Sequence, residues 1–275
     1  MINKDLNLAW AAIAPILEKF DFYEIKNIAK LAGFDIEILN TLGFDKRNWE
    51  KPNAGQLISE IETSFINFDE SQKRHFLNIV VEEMLGRIDR LYAHFDDPEE
   101  KLQYHLNRLG WQLIDKKILP IELLDSTDLN ELDTTTRVDL IKAATRFRDG
   151  DLSGAISSAC AAVDSVTERV YRDKNLGDPN KSLSFQERCN KSFKEVGVFE
   201  AIELQLRDID WKDSDATKFK DNLKQSLNQA AYVMQTLRSN MADVHRTKPV
   251  IRSLAFDSIK WSQIIVRLLS EKYDS

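Results

Sequence analysis

The sequence is poor in the residues that interrupt helices. It has 9 Gly and 6 Pro in 275 residues, and its apolar residues mostly recur three or four positions apart, which is the spacing of one helix face. No stretch has a convincing strand pattern. We therefore predict an all-α fold, for which an apolar fraction of 43% provides an ample core. The length exceeds that of a typical single domain, so we expect two domains.

Signals for export, membrane insertion and metal binding are also lacking. Met1 is followed by no basic and then apolar leader, and no apolar run approaches the ~20 residues that span a bilayer. We expect a cytoplasmic protein without membrane contact. The two cysteines, Cys160 and Cys189, have no metal-like spacing and lie in helical patterns, which favours buried thiols over a disulfide or a zinc site. No other set of side chains has metal-ligand spacing, so we expect no metal and no cofactor.

The excess of acidic residues is confined to the first half of the chain. Residues 1–136 contain 15 Lys and Arg against 25 Asp and Glu, whereas residues 137–275 contain 23 against 20. An acidic surface disfavours a polyanion, so only the second half is a candidate for nucleic-acid contact. Its surplus of three positive charges is far below that of a dedicated nucleic-acid binder.

The helical patterns divide the chain into three parts. Residues 1–95 predict a compact module of about five helices, two of which begin at the capping residues Asp21 and Asp69. We expect an interaction or packing module with a possible protein partner. Its helix that ends in Ala-Gly-Phe-Asp (32–35) resembles those of the death-like or effector-associated adaptor modules of bacterial defence proteins. Residues 96–136 predict a connecting helix, ending over 111–120, and then an acidic linker.

Residues 137–275 predict a helical bundle. Its four long helices are expected at 137–149, 151–172, 214–242 and 250–273. The first two form a hairpin through Asp-Gly-Asp at 149–151. On the second helix Asp164 lies one step off the apolar stripe, so its side chain points either to a site or to water.

The end of the third long helix carries the most suggestive set of side chains. Arg238 and His245 are seven residues apart, so they stay within roughly 20° of each other if the helix continues. A permanent cation and a titratable imidazole would then share one face. Arg246 and Lys248 follow, with Asp243 as the one acidic residue of the stretch, which makes this end a candidate phosphate-binding edge.

Spacing alone does not identify such a site. Arg87 and His94 are also seven residues apart, but an acidic stretch at 96–100 follows them. Carboxylates beside His94 would repel a phosphate, so we interpret His94 as a surface or helix-end residue.

Two segments together resemble a known family. Arg-Asp-Gly-Asp-Leu-Ser-Gly-Ala-Ile-Ser-Ser-Ala at 148–159 and Leu-Arg, followed by Asp-Val-His, within 237–245 are similar to the C-terminal domain of abortive-infection proteins. That domain belongs to the HEPN superfamily of helical ribonuclease-like bundles, and the resemblance covers about residues 137–270. The family motif is Arg, four to six residues, and then His. The resemblance implies that Arg238 and His245 are the motif residues, Asn240 the polar residue and Asp164 the acidic position on the second helix.

The motif departs from the family pattern in two places. Ser239 stands where the family commonly has Asn directly after Arg, and Asn240 follows it. Ala242 and Arg246 stand where the family has glycines around the Asp-x-His core. The loss of these glycines changes how closely RNA approaches the imidazole, whereas Arg246 adds a phosphate contact.

The resemblance implies a metal-independent endoribonuclease of an antiviral, abortive-infection or toxin–antitoxin system. RNA supplies its own nucleophile, the ribose 2′-OH, so the protein provides proton transfer, charge neutralisation and positioning. His245 is the proton-transfer candidate, Arg238 holds the scissile phosphate, Asn240 orients it, and Arg246 and Lys248 bind neighbouring phosphates. The resemblance also implies a homodimer through the C-terminal bundle, in which two motifs face each other.

Two other interpretations remain open. In the first, the bundle is an inactive HEPN domain that binds RNA, a nucleotide or a protein partner. The acidic balance of the chain and the motif departures favour this interpretation. Alternatively, Arg238 and His245 only stabilise the end of a helix, where cations are favourable, with Asp164 as an ion-pair partner.

Overall fold

The computed structural model describes residues 6–35, 37, 54–88, 97–124, 129–179, 183–242 and 248–271. Within these ranges the chain forms eleven helices and one small antiparallel sheet, so the predicted all-α class is confirmed. None of the described helices is both long enough and apolar enough to cross a bilayer. Residue contacts divide the chain into two compact units, Met1–Glu122 and Leu123–Ser275. The division falls inside the predicted connecting segment, 96–136.

The first unit contains short helices around an aromatic core. Asp21 and Asp69 cap two of them as predicted: the Asp21 carboxylate accepts from the N–H groups of Tyr23 and Glu24, and that of Asp69 accepts from the Gln72 N–H. The ring of Trp10 lies 5.5 Å from that of Phe65 and 5.8 Å from that of Phe76, and all three side chains are buried. The elements are α1 (Leu6–Leu17), α2 (Phe22–Leu31), α3 (Ala54–Ile66), α4 (Glu70–Arg87), α5 (Pro98–Arg108), β1 (Trp111–Ile114) and β2 (Lys117–Pro120).

The prediction of a helix end over 111–120, with no strand, is wrong. These residues form the hairpin of β1 and β2, in which Trp111 pairs with Pro120 and Ile114 with Lys117. Asp115 and Lys116 make the two-residue turn with φ of 47° and 63°, the backbone that a tight hairpin requires. Glycine or asparagine usually occupies such positions, so the turn carries no recognisable sequence signal.

The second unit is a bundle of helices with one central helix. Its elements are α6 (Thr134–Arg148), α7 (Leu152–Asp173), α8 (Phe185–Val196), α9 (Val198–Asp208), α10 (Asp213–Met241) and α11 (Arg252–Ser270). Helix α7 packs against α6, α8, α10 and α11. Its buried alanines, including Ala155, Ala159 and Ala162, allow the neighbouring backbones to approach closely.

The hairpin of α6 and α7 is formed at the predicted turn. Asp151 caps α7 by accepting a hydrogen bond from the Gly154 N–H. Helix α6 begins at Thr134, three residues before the predicted start, because Asp133 caps it by accepting hydrogen bonds from the N–H groups of Thr135 and Thr136. Part of the predicted acidic linker therefore belongs to the bundle.

Candidate functional site

The centre of the candidate site is the carboxylate of Asp164, which joins arginines from two other helices. Its Oδ2 accepts a hydrogen bond of 2.6 Å from Nη1 of Arg238 on α10. Its Oδ1 accepts one of 2.5 Å from Nη2 of Arg188 on α8. Asp164 therefore points inward, toward the junction of α7, α8 and α10, rather than to water. The structure brings the predicted pair of Asp164 and Arg238 together and adds Arg188.

The three charged side chains differ in their exposure. Those of Asp164 and Arg188 are 18% and 10% exposed, whereas the side chain of Arg238 is 43% exposed. Burial alone lowers the pKa of Arg238, but the charge and the hydrogen bond of Asp164 reverse this, and the net shift is upward. Arg238 is thus a permanent cation that is fixed at one end and in contact with solvent.

Two thiols flank this ion-pair cluster. Cys160 lies one turn before Asp164 on α7, and Cys189 follows Arg188 on α8; both are buried and free, as predicted. Burial raises the pKa of Cys160 to about 12, and it also raises the pKa of Cys189. Both thiols are protonated at neutral pH, so neither is an activated nucleophile.

Helix α10 ends before the predicted imidazole. Its last residue is Met241, and Ala242 has an extended backbone. A shared helical face for Arg238 and His245 required the helix to continue, and α10 does not continue past Met241. The hydroxyl of Ser153 on α7 donates to the Met241 carbonyl oxygen at 2.7 Å, so this carbonyl at the helix end has a partner from another helix.

Two other residues of the predicted site, Asn240 and Lys248, lie at or just after the end of α10. The side-chain amide of Asn240 donates to the Thr236 carbonyl oxygen of its own helix at 2.8 Å, and Asn240 lies roughly 200° around that helix from Arg238. The backbone N–H of Lys248 donates to the Asn240 carbonyl oxygen at 3.2 Å, and Lys248 is exposed. His245 and Arg246 lie outside the described residues.

Arg188 is the site residue that sequence reasoning missed. It lies in the buried stripe of α8 with Phe185, Cys189 and Phe193. A cation within an apolar stripe needs an acidic partner, because an isolated buried charge is very unfavourable. The position of Arg188 in an apolar stripe was therefore the signal that the sequence offered, and Asp164 was an acidic residue that could pair with it.

No protein-family model, curated protein or solved structure matches the chain. Over the described ranges, no group of three or more His, Cys, Asp or Glu side chains is arranged to hold a metal ion. A functional proposal for this chain is therefore based on its own residues and on the motif resemblance.

Proposed function

We propose that the second unit is a metal-independent endoribonuclease in which Arg238 binds the scissile phosphate and His245 transfers a proton. The observation that carries the proposal is the state of Arg238. Its guanidinium is fixed by Asp164 at 2.6 Å, and its side chain remains 43% exposed. A cation that is oriented before the substrate arrives stabilises developing phosphate charge without having to reorganise.

Asp164 has the role of a positioning residue in this proposal. It accepts from Nη1 of Arg238, and a guanidinium has further N–H donors for an anion. Because Arg188 also donates to Asp164, the carboxylate stays in place when the phosphate competes for Arg238. Asp164, the acidic position on the second bundle helix, thus holds the guanidinium of Arg238, the cation of the motif, in place.

The ends of the segment that contains His245 are close to Arg238 along the chain. Residues 243–247 connect Ala242, directly after α10, to Lys248, whose N–H donates to the Asn240 carbonyl oxygen. Asn240 is two residues from Arg238, so this hydrogen bond holds both ends of the segment within about one helical turn of the motif arginine. His245 is the proton-transfer group that we assign, because imidazole is the side chain best suited to exchange protons at neutral pH.

The remaining parts of the proposal depend on the resemblance to HEPN domains. They are a role in antiviral defence or a toxin system, a cytoplasmic location, a homodimer through the bundle, and phosphate contacts from Arg246 and Lys248. Light scattering at tens of micromolar protein tests the dimer, for which a monomeric mass would be the contrary result.

The decisive experiment is cleavage of single-stranded RNA by the purified protein in EDTA. We expect cleavage of RNA and no cleavage of DNA. His245→Ala should reduce the rate by ~10²–10⁴-fold, the usual contribution of general acid–base catalysis. The matched control is His105→Ala, which removes an exposed imidazole from the first unit and should leave the rate unchanged. Cleavage that requires a metal ion, or that persists in His245→Ala, would refute the mechanism.

A second substitution tests the cation. Arg238→Lys keeps the positive charge but loses the planar fork, so we expect strong impairment of cleavage. An unimpaired Arg238→Lys enzyme would remove Arg238 from the mechanism.

A non-catalytic RNA- or nucleotide-binding bundle is the second candidate. The end of α10 at Met241 favours it, because the helix that carries Arg238 does not continue to position 245. This candidate predicts RNA binding that Arg238→Lys weakens, without any cleavage by the wild-type protein. If Arg238 serves packing alone, the substitution lowers the thermal midpoint and RNA neither binds nor is cut.

A further inference from the structure

A cluster of carboxamide side chains joins α8 to α10. Oδ1 of Asn228 accepts hydrogen bonds from Nε2 of Gln186 at 2.8 Å and from Nδ2 of Asn190 at 2.5 Å. Oε1 of Gln235 accepts one of 3.1 Å from the backbone N–H of Gln186. We call Gln186, Asn190, Asn228 and Gln235 the amide cluster. All four residues are partly buried, so the cluster reaches the surface where the two helices meet.

The packing of the two helices uses only one end of each amide. The side-chain oxygens of Asn228 and Gln235 and the side-chain nitrogens of Gln186 and Asn190 are the ends that face α8 or α10, except that Gln235 accepts from a backbone N–H. The other ends are two N–H₂ groups, which donate, and two carbonyl oxygens, which accept. No described residue makes a hydrogen bond to any of these four ends. The amide cluster therefore offers two donors and two acceptors to a ligand.

An exposed tyrosine lies between the two members of the cluster on α10. Tyr232 is 49% exposed, and within the described ranges no other aromatic ring contacts it. Measured from Arg238, the side chains of Tyr232 and of both cluster members on α10 leave the helix within roughly 120° in one direction. Tyr232 is thus an open ring beside the amide cluster, on the side of α10 that carries the motif arginine.

Little negative charge surrounds this side of the two helices. Residues 222–242 contain no Asp or Glu, although 45 of the 275 residues are acidic. The acid before them, Asp221, lies about 10 Å along α10 from the nearest member of the cluster. On α8 the carboxylate of Glu187 accepts from the Ser184 N–H at 2.7 Å in the capping box, and Glu195 leaves the helix about 140° away from the nearest member. The cluster itself is uncharged, so an anionic chain can approach it.

A nucleobase is the ligand that fits these groups. Its edge carries both donors and acceptors, and its faces stack on aromatic side chains, whereas a phosphate group offers acceptors alone. Asn and Gln are among the neutral side chains that pair with base edges. We propose that the amide cluster and Tyr232 form a base-binding subsite for RNA, in which one base stacks on Tyr232 and its edge bonds to the free amide ends.

The spacing along α10 places this base near the cation that holds the phosphate. At 1.5 Å per residue, Gln235 is about 4.5 Å and Tyr232 about 9 Å along the helix from Arg238. A base on Tyr232 would therefore belong to the nucleotide at the bound phosphate or to its neighbour. This inference rests on the proposed function for the phosphate at Arg238, but it concerns recognition and not cleavage.

The test measures binding of a fluorescein-labelled 12-nucleotide polyuridine RNA by fluorescence anisotropy in EDTA, with the full chain carrying His245→Ala. Tyr232→Leu keeps an apolar side chain but loses the ring, so binding should weaken by about fivefold or more. Tyr232→Phe keeps the ring and should recover most of that loss. The salt slope of Tyr232→Leu should equal that of the parent, because no phosphate contact is lost. The matched control is Tyr23→Leu, which removes a tyrosine ring that is 61% exposed in the first unit.

A second substitution reverses the polarity of one free amide end. Gln235→Glu keeps the oxygen that accepts from the Gln186 N–H and replaces the free N–H₂ donor by another oxygen, so binding should weaken by about fivefold. Gln229→Glu is its control, because it adds the same charge at an exposed position of α10 on the side opposite to Arg238. This control should bind RNA as the parent does.

An oligomer without bases separates base recognition from phosphate binding. Twelve abasic tetrahydrofuran phosphates with the same label should bind more weakly than the RNA, and Tyr232→Leu should leave their binding unchanged. No RNA binding by the parent, equally tight binding of the abasic oligomer, or equal losses in Tyr232→Leu and Tyr23→Leu would overturn the subsite. If binding depends on bases and on Tyr232 but the protein with His245 intact does not cut RNA, the subsite stands and the nuclease proposal fails. Cleavage that is the same in Tyr232→Leu and wild type would have the opposite meaning.

Discussion

Asp164→Asn is the substitution that most sharply probes the ion-pair cluster. It keeps the shape of the side chain and removes the charge that holds Arg188 and Arg238. Breaking a buried ion pair typically costs ~3–5 kcal/mol, because the partner charge stays buried without compensation. Asp164 retains 18% exposure and asparagine keeps one acceptor, so we expect a loss of about 2–3 kcal/mol in the free energy of unfolding. For a unit of this size that lowers the thermal midpoint by about 4–12 °C.

The two arginines should contribute unequally to that loss. Arg188 is 10% exposed, so its interaction with Asp164 is screened little by solvent. Arg238 is 43% exposed, and pairs at such exposure contribute up to about 1 kcal/mol. Urea unfolding, followed by circular dichroism, of Arg188→Gln, Arg238→Gln and their combinations with Asp164→Asn gives both coupling energies. A larger coupling for Arg238 than for Arg188, or a wild-type stability for Asp164→Asn, would refute this account of the cluster. In the cleavage assay Asp164→Asn should show an intermediate loss, because Arg238 keeps its charge but loses its orientation.

Three further predictions concern other parts of the fold. The pKa of Glu203 is lowered to about 2, chiefly by the hydrogen bond that Lys220 donates, so the stability it contributes is present above the unfolded pKa of ~4.3 and is lost as the pH falls toward 2. Thermal midpoints of wild type and Glu203→Gln should therefore differ at pH 6 and converge only as the pH falls to about 2; a difference that stays constant with pH would contradict this account. Because Cys160 and Cys189 are buried with raised pKa values, neither thiol should react with a disulfide reagent at pH 8 until urea is added; fast reaction of the folded protein would contradict this. Lys116→Gly should raise the stability of the first unit by about 1 kcal/mol, because φ of 63° strains a residue with a Cβ; an unchanged or lower midpoint would count against it.

The sequence predicts those elements that are determined by neighbouring residues. The apolar spacing of 137–172 predicts the hairpin of α6 and α7, and Asp151 caps α7 within its own first turn. The start of α6 was misplaced because Asp133, its cap, lies in an acidic stretch where several residues could have capped a helix. Local signals therefore gave the type of each long helix more accurately than its ends.

Contacts between distant segments explain the parts that the sequence did not predict. The hydrogen bond from the Ser153 hydroxyl to the Met241 carbonyl oxygen joins residues 88 positions apart, and no local pattern predicts it. The ion pair of Asp164 with Arg238 spans 74 residues; the family resemblance and the ion-pair alternative suggested it, and no local pattern did. Arg188 had neither a motif nor a resemblance to mark it; its position in an apolar stripe was the available signal, and the structure identified its partner.

The chemistry of the RNA ends tests the central claim most directly. If the ribose 2′-OH attacks the phosphate that Arg238 holds while His245 transfers the proton, cleavage in EDTA leaves 2′,3′-cyclic phosphate ends. A substrate with one 2′-deoxy nucleotide should resist cleavage at that nucleotide and be cut elsewhere. Mass spectrometry of the products distinguishes the outcomes. Cyclic phosphate ends that disappear in His245→Ala are the predicted result, whereas 5′-phosphate ends, or cutting at the 2′-deoxy position, would contradict the mechanism.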